Sequence, residues 1–244
     1  MHFLISLQAR GKHQNNRSLV RPPFILGLEF AGIVISAPFS HIYSPGDRVF
    51  GGSLGSYAER IAVKETSLHH IPKNWDFRDA AGFAATAPVS YGALIIRGRL
   101  QRGETVLIHA SAGGLGSMAV QIAKAIGARV IATAGSQEKL DVARGYGADE
   151  CINYLNNSNW WKDVLGFTDG VGVDVVYDPV GLVDKSLKCT KQKGRILVVG
   201  FAGTEGNIEQ IPTNRILLRQ AQIIGYVSRI EIQKPSLTCT SVSV

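Results

Sequence analysis

The 244-residue sequence is sparing with cysteine, with long apolar runs and, at its amino terminus, with acids. Its three cysteines, Cys151, Cys189 and Cys239, are odd in number and far apart. That argues against a disulfide framework and fits a reducing compartment, so a cytoplasmic location is expected. No stretch approaches the roughly 20 apolar residues of a spanning helix, and no membrane span is expected. Residues 1–23 hold no Asp or Glu, while Arg10, Lys12, Arg17 and Arg21 carry four of the seven net positive charges. The simplest reading is a basic, irregular, solvated arm. A mitochondrial presequence and an electrostatic arm for nucleic acid or a membrane surface are the alternatives. What is present points to a folded α/β protein: 45% hydrophobic residues, 18% charged residues and 27 glycines.

The pattern changes along the chain. Residues 24–72 hold short apolar runs punctuated by turn residues, which predicts a β-rich region. Phe30–Ile35, Arg48–Phe50 and Leu68–Pro72 read as strands or strand ends, Ser56–Val63 alternates in part, and Ser44-Pro-Gly-Asp47 reads as a turn. Trp75 to Leu100 reads as helical. From Gly103 onward strands and helices alternate, which predicts a parallel sheet with crossover helices. The strands are Val106–His109, Val130–Thr133, Glu150–Asn153, Val173–Asp178, Arg195–Gly200 and Gln222–Tyr226. Gly114–Ile126, Gln137–Tyr146 and Trp160–Phe167 read as the helices between them. After Arg229 the text is polar and without a helical period, and residues 228–244 read as a tail.

Another absence is chemical. Ala110-Ser-Ala112-Gly113-Gly114-Leu115-Gly116 follows an apolar strand and opens an amphipathic helix. Small residues there let the backbone turn tightly against a pyrophosphate, which the helix amino terminus favours through free N–H groups and its dipole. A dinucleotide-binding strand that follows should end on Asp or Glu, to hold the ribose 2′-hydroxyl. Here Arg129–Thr133 ends without an acid, and Gly135, Ser136 and Lys139 come next. A 2′-phosphate would be repelled by an acid and drawn to a hydroxyl, N–H groups and a lysine. The loop therefore predicts NADP(H) as cofactor; the plainer alternative is an ordinary surface lysine.

Phe24–Val34, Pro45-Gly-Asp-Arg-Val49, Gly55-Ser-Tyr-Ala-Glu59, Ala110–Gly116 and Gly172-Val-Asp-Val-Val-Tyr-Asp-Pro-Val-Gly181 occur here in that order. As a set they resemble the zeta-crystallin-type quinone oxidoreductases, a zinc-free branch of the medium-chain dehydrogenase/reductase superfamily, over roughly residues 10–227. The resemblance implies a Rossmann-type parallel sheet beside a GroES-like β-barrel domain, here incomplete because the chain starts and stops short of its relatives. It implies a partial GroES-like domain over 1–98, a Rossmann dinucleotide-binding domain over 99–227 and a non-family tail over 228–244. The implied activity is NADPH-dependent hydride transfer to quinones or other α,β-unsaturated carbonyl acceptors, without zinc, by a homodimer if the chain is intact. Ala112 to Gly116 would form the pyrophosphate turn, Ser136 and Lys139 would hold the 2′-phosphate, and Tyr154 would add its hydroxyl or serve only in packing. Gly200 and Phe201, in Gly200-Phe-Ala-Gly203, would pass the nicotinamide.

Zinc ligands are missing from the expected places. Where zinc-dependent relatives carry a His between Gly and Glu, this chain reads Gly27-Leu28-Glu29, and leucine cannot ligate. His69 and His70 lack companion ligands and read as surface or packing residues. Glu29 reads as a structural hydrogen-bonding carboxylate. Ser90 and Tyr91 fall where the family places a hydroxyl near the nicotinamide, but no catalytic residue is assigned. Two other functions compete: reduction of enoyl-thioesters within the same superfamily, and an NADP-binding regulatory or RNA-binding role without turnover.

Overall fold

The computed structural model describes residues 3–11, 22–203, 209–227 and 239–244. The chain forms two units, Met1–Thr86 with Ser228–Val244, and Ala87–Val227. The division falls at the start of a helix, earlier than the expected 98/99 boundary. The reason is packing: Ala93, Leu94 and Leu100 belong to the same buried cluster as Val106, Ile108 and Val120.

In unit one, strands β1 (Glu29–Ser36), β2 (Arg48–Gly52), β3 (Arg60–Lys64), β4 (Leu68–His70) and β11 (Cys239–Ser243) form one antiparallel sheet in the order β3-β11-β1-β2-β4. Period-two burial turns Phe30, Val34, Val49, Val63, Leu68 and Val242 into one core with Tyr43. The Tyr43 hydroxyl is buried yet satisfied, donating to the Leu68 carbonyl at 2.7 Å. The Ser44–Asp47 turn forms as expected, with the Asp47 carboxylate accepting the Ser44 N–H at 2.8 Å and Gly46 at φ +97°. Helix α2 (Phe77–Ala81) starts where Asp76 caps it, accepting the Asp79 N–H at 2.8 Å.

Two expectations are corrected in this unit. Phe3–Ala9 is helix α1, so the basic arm is not irregular there; residues 12–21 of that arm lie outside the described residues. The reading of 228–244 as a tail fails for residues 239–244. Cys239–Ser243 pairs with β1 on one side and β3 on the other. The physical reason is short-range alternation that polarity concealed: Thr240 and Val242 point inward and are buried, Val242 completely. Burial of that one valine contributes roughly 1.5–3 kcal/mol. Residues 228–238 lie outside the described residues.

Unit two is a six-stranded parallel sheet in the order β10-β9-β8-β5-β6-β7. Its strands are β5 (Thr105–Ile108), β6 (Arg129–Ala134), β7 (Glu150–Asn153), β8 (Val173–Asp178), β9 (Thr190–Val198) and β10 (Gln222–Gly225). Helices α3 (Thr86–Tyr91), α4 (Gly114–Ile126), α5 (Gln137–Gly145), α6 (Trp161–Phe167), α7 (Val183–Ser186) and α8 (Thr213–Arg219) complete the alternation, with a π-helical segment over Gly92–Arg97. Alternate strand residues enter opposite cores. Val106, Ile108, Val130, Ala132, Val175 and Tyr177 pack with α4, whereas Leu107, Ile131, Val176 and Ile196 pack with Trp160 and Val164. A sheet covered on both faces buries its strands throughout: all six residues of β8 are buried, and its two aspartates are satisfied by accepting backbone N–H groups. This is the doubly wound arrangement expected for a Rossmann-type sheet.

Among the described strands, β3 joins the unit-one sheet only through β11. A Cβ placed on Gly32 would fall inside contact distance of the Ser243 carbonyl oxygen. Gly32→Val should therefore dislodge β11 and free β3. Hydrogen exchange should show amides of β3 and β11 exchanging at least roughly tenfold faster, with β5, β6 and β8 unchanged. Unaltered protection of β3 would contradict that role for β11.

Candidate functional site

In a parallel sheet all strands end on one edge. Chain order reverses between β5 and β8, so the loops that follow them leave toward opposite faces and open a crevice there. The expected residues gather at that edge from four strands, β5, β6, β7 and β9.

The loop after β5 is built by its own backbone. Ala110 holds a left-handed conformation at φ +48° and its carbonyl accepts the Gly113 N–H at 2.8 Å. Gly113 is the extended residue before α4 and no side chain caps the helix, so the first-turn N–H groups face outward without an internal acceptor from a cap. Gly113 and Gly114 are exposed, Ala112 and Leu115 are half-buried and Gly116 is buried. A Cβ on Gly116 would collide with the Ala110 carbonyl oxygen. Only glycine lets α4 approach its own strand this closely, which is the geometry a pyrophosphate turn requires.

The ends of β6 and β7 bring Gly135, Ser136 and Tyr154 together. Ser136 caps α5, its hydroxyl oxygen accepting the Lys139 N–H at 3.4 Å, and Lys139 is exposed in the first turn. A Cβ on Gly135 would lie 3.0 Å from the Tyr154 hydroxyl. The Tyr154 ring is half-buried against the core while its hydroxyl reaches the loop beside Gly135. Glu138 was not foreseen: a hydrogen bond with Ser136, the largest effect, holds its exposed carboxyl below the usual range.

The loops after β8 and β9 are stitched to each other. Asp178 is fully buried, and its carboxylate accepts N–H groups of Val180 and Gly181 at 2.8 Å and of Leu182 at 2.6 Å. The Pro179 carbonyl accepts the Ala202 N–H at 3.0 Å, as does the Val180 carbonyl the Gly203 N–H. A Cβ on Gly200 would come 2.9 Å from the Pro179 oxygen. Phe201 is thereby presented at the sheet edge, 38% exposed.

Ser90 lies beneath the glycine-rich turn. It is fully buried, its hydroxyl donating to the Leu115 carbonyl at 3.0 Å and lying 2.9 Å from the Tyr177 hydroxyl. It braces the glycine-rich turn from beneath, and burial raises the Tyr177 phenol well above its ordinary range. Tyr91 is 51% exposed. In unit one, Glu29 is a structural acceptor, taking the Ala85 N–H at 2.8 Å; burial raises its pKa and that bond opposes the rise. His69 stacks on Phe50 and His70 on Tyr43, with ring centroids 5.3 and 4.8 Å apart. Among the described residues no group of three potential ligands is placed to hold a metal ion. Nor is any helix among them long and apolar enough to cross a membrane. Cys189 is buried, with its thiol pushed up to about 12 by desolvation.

Sequence reading missed His109, at the mouth of β5. Its Nδ1 lies 2.9 Å from the Thr133 hydroxyl, its Nε2 lies 2.9 Å from the Ser186 hydroxyl, and its ring meets Trp160 edge-on. Burial lowers its pKa, and the nearby Asp178 charge opposes that only in part. A lone histidine after an apolar strand carries no periodic signal. Asp178, set before Pro-Val-Gly, does carry the signature of a turn-closing side chain.

Known proteins match on both units. Residues 6–73 match the family described as an alcohol dehydrogenase GroES-like domain, and residues 114–234 the family described as a zinc-binding dehydrogenase. The chain is 38% identical to quinone oxidoreductase-like protein 2 of Rattus norvegicus, over all of this chain and 69% of that protein. It superimposes on the quinone oxidoreductase of Thermus thermophilus, which has been crystallised in complex with NADPH, with a TM-score of 0.77. That likeness has 30% identity and covers 93% of this chain and 68% of that one. CurK enoyl reductase is similar too, with a TM-score of 0.74, 25% identity, and 93% and 69% coverage. The chain thus spans about two thirds of these relatives.

His109 gives a pH dependence with a definite sign. The folded state keeps it neutral, whereas the unfolded chain binds a proton below about pH 6.5. Its contribution is constant above that value and is lost as pH falls through it. Urea unfolding from pH 8 to 5.5 should show the wild type losing up to about 1.4 kcal/mol per pH unit more than His109→Gln below pH 6.5. Parallel losses in the two proteins would contradict a buried neutral imidazole.

Proposed function

From the chain's membership of the quinone oxidoreductase-like group within the medium-chain dehydrogenase/reductase superfamily, we propose that it is an NADPH-dependent oxidoreductase. In this reading it reduces quinones or other α,β-unsaturated carbonyl acceptors without zinc. The observation that carries the cofactor choice is the β6 end, where Ala134, Gly135 and Ser136 replace the expected acid and the Tyr154 hydroxyl stands beside Gly135.

The nicotinamide, when bound, would supply the hydride. The chain's own residues would hold and orient it. Backbone N–H groups of Gly113 to Gly116 would bind the pyrophosphate at the α4 amino terminus, with Ala112 shaping the turn. Ser136, Lys139 and Tyr154 would hold the 2′-phosphate through hydroxyls and a point charge. Gly200 and Phe201 would flank the nicotinamide. With no metal, the acceptor oxygen would be polarised by hydrogen-bond donors, and rate would come from holding it against the nicotinamide. The partner is then a small-molecule electron acceptor, the assembly a homodimer if the chain is intact, and the location cytoplasmic or mitochondrial. A second reading, reduction of enoyl-thioesters, is favoured by the similarity to an enoyl reductase.

The test is NADPH oxidation with a simple benzoquinone, and with an enoyl-thioester as the competing substrate. A bond from a charged donor to phosphate contributes about 1.5–3 kcal/mol. Lys139→Ala should therefore raise the KM for NADPH roughly tenfold or more and change that for NADH less than twofold. Equal effects on both cofactors would remove Lys139 from the 2′-phosphate site.

A further inference from the structure

Placing a histidine in the deepest layer of an apolar sheet is costly unless both ring nitrogens are satisfied. His109 meets that condition, and its bonds fix its tautomer. The Ser186 hydroxyl has one proton, and it goes to the Leu182 carbonyl at 2.7 Å. Toward the imidazole that oxygen can only accept, so the ring proton is on Nε2. Nδ1 is then bare, and accepts the Thr133 hydroxyl proton at 2.9 Å.

The partners are not scattered through the core. Thr133 lies two residues before Gly135, on the strand that carries the ribose loop. Its carbonyl also takes both the N–H and the hydroxyl of Ser111, each at 3.1 Å, from within the glycine-rich turn. Ser186 lies on α7, whose approach is the turn closed by the Asp178 carboxylate, and its own carbonyl accepts the Thr190 hydroxyl at 2.7 Å. One imidazole therefore fastens the ends of β5 and β6 and the segment after β8. An apolar side chain would fill the space without specifying this relation.

We propose that His109 is a positioning residue for the dinucleotide. As a neutral Nε2–H imidazole between Thr133 and Ser186, it sets the separation of the pyrophosphate turn and the ribose-phosphate loop. This assignment rests on the dinucleotide reading of the site.

The experiment uses the full chain and NADPH, followed by nicotinamide fluorescence, with Thr133→Val and Thr133→Ser as variants. Valine keeps the shape and removes the donor to Nδ1; serine keeps the hydroxyl. Thr133→Val should weaken NADPH about fivefold or more, and Thr133→Ser should restore affinity to near the wild-type value. A folded Thr133→Val with unchanged affinity would overturn the assignment, because a purely structural role would alter only the melting temperature. Nitrogen NMR of the wild type gives an independent readout that needs no variant. It should show His109 protonated at Nε2 and not at Nδ1, and the opposite tautomer would overturn the proposal. A wild-type chain that binds no dinucleotide would fail the site reading itself, and this assignment with it.

Discussion

The contact between Gly116 and the Ala110 carbonyl leaves no room for a side chain, and much of unit two follows from it. Because α4 starts so close to the strand it follows, its first N–H groups emerge at the sheet edge instead of beyond it. The strained Ala110 and the small residues after it are consequences of that approach, not separate features. The brace beneath the turn, Ser90 on the Leu115 carbonyl, and the tie beside it, Ser111 on Thr133, hold the same short stretch from two sides. A site whose binding groups are backbone N–H groups must be positioned by backbone, and here buried polar residues do the positioning.

Unit one follows a different constraint. A sheet strand with an unpaired edge is a liability, and β1 and β3 are paired here by a strand from the far end of the chain. Gly32 provides the room and Val242 fills the core. The sheet thus depends on a segment whose composition gives little sign of it.

How much was legible in the sequence varied with the physics of each element. Strands β5, β6 and β8 were plain because burial on both faces favours mostly apolar runs, and α4 because its apolar period has glycine at both ends. The glycine-rich turn was legible because its small residues are required by backbone geometry. Strand β11 was missed because Thr240 is buried despite its hydroxyl, so a polar-looking string conceals a two-residue period. Helix α1 was missed because basic residues around it suggested an irregular arm. Ser90 was legible as a hydroxyl worth noting but not as a buried brace, since its role depends on Tyr177, far away in the chain. His109 was invisible as a site residue for the same reason: its partners, Thr133 and Ser186, are assembled only by the sheet, whereas Asp178 bonds the N–H groups just after it and carried a local turn signal.

The central claim is that unit two binds a phosphorylated nicotinamide dinucleotide through the edge where β5, β6, β8 and β9 end. Thermal unfolding of the full chain with NADPH and with NADH tests it most directly. A ligand that binds only the folded state adds about 2.7 kcal/mol at a hundred times its dissociation constant. The account predicts a clear upward shift of the unit-two transition with NADPH and a smaller one with NADH at equal concentration. A cooperative transition indifferent to both would contradict it.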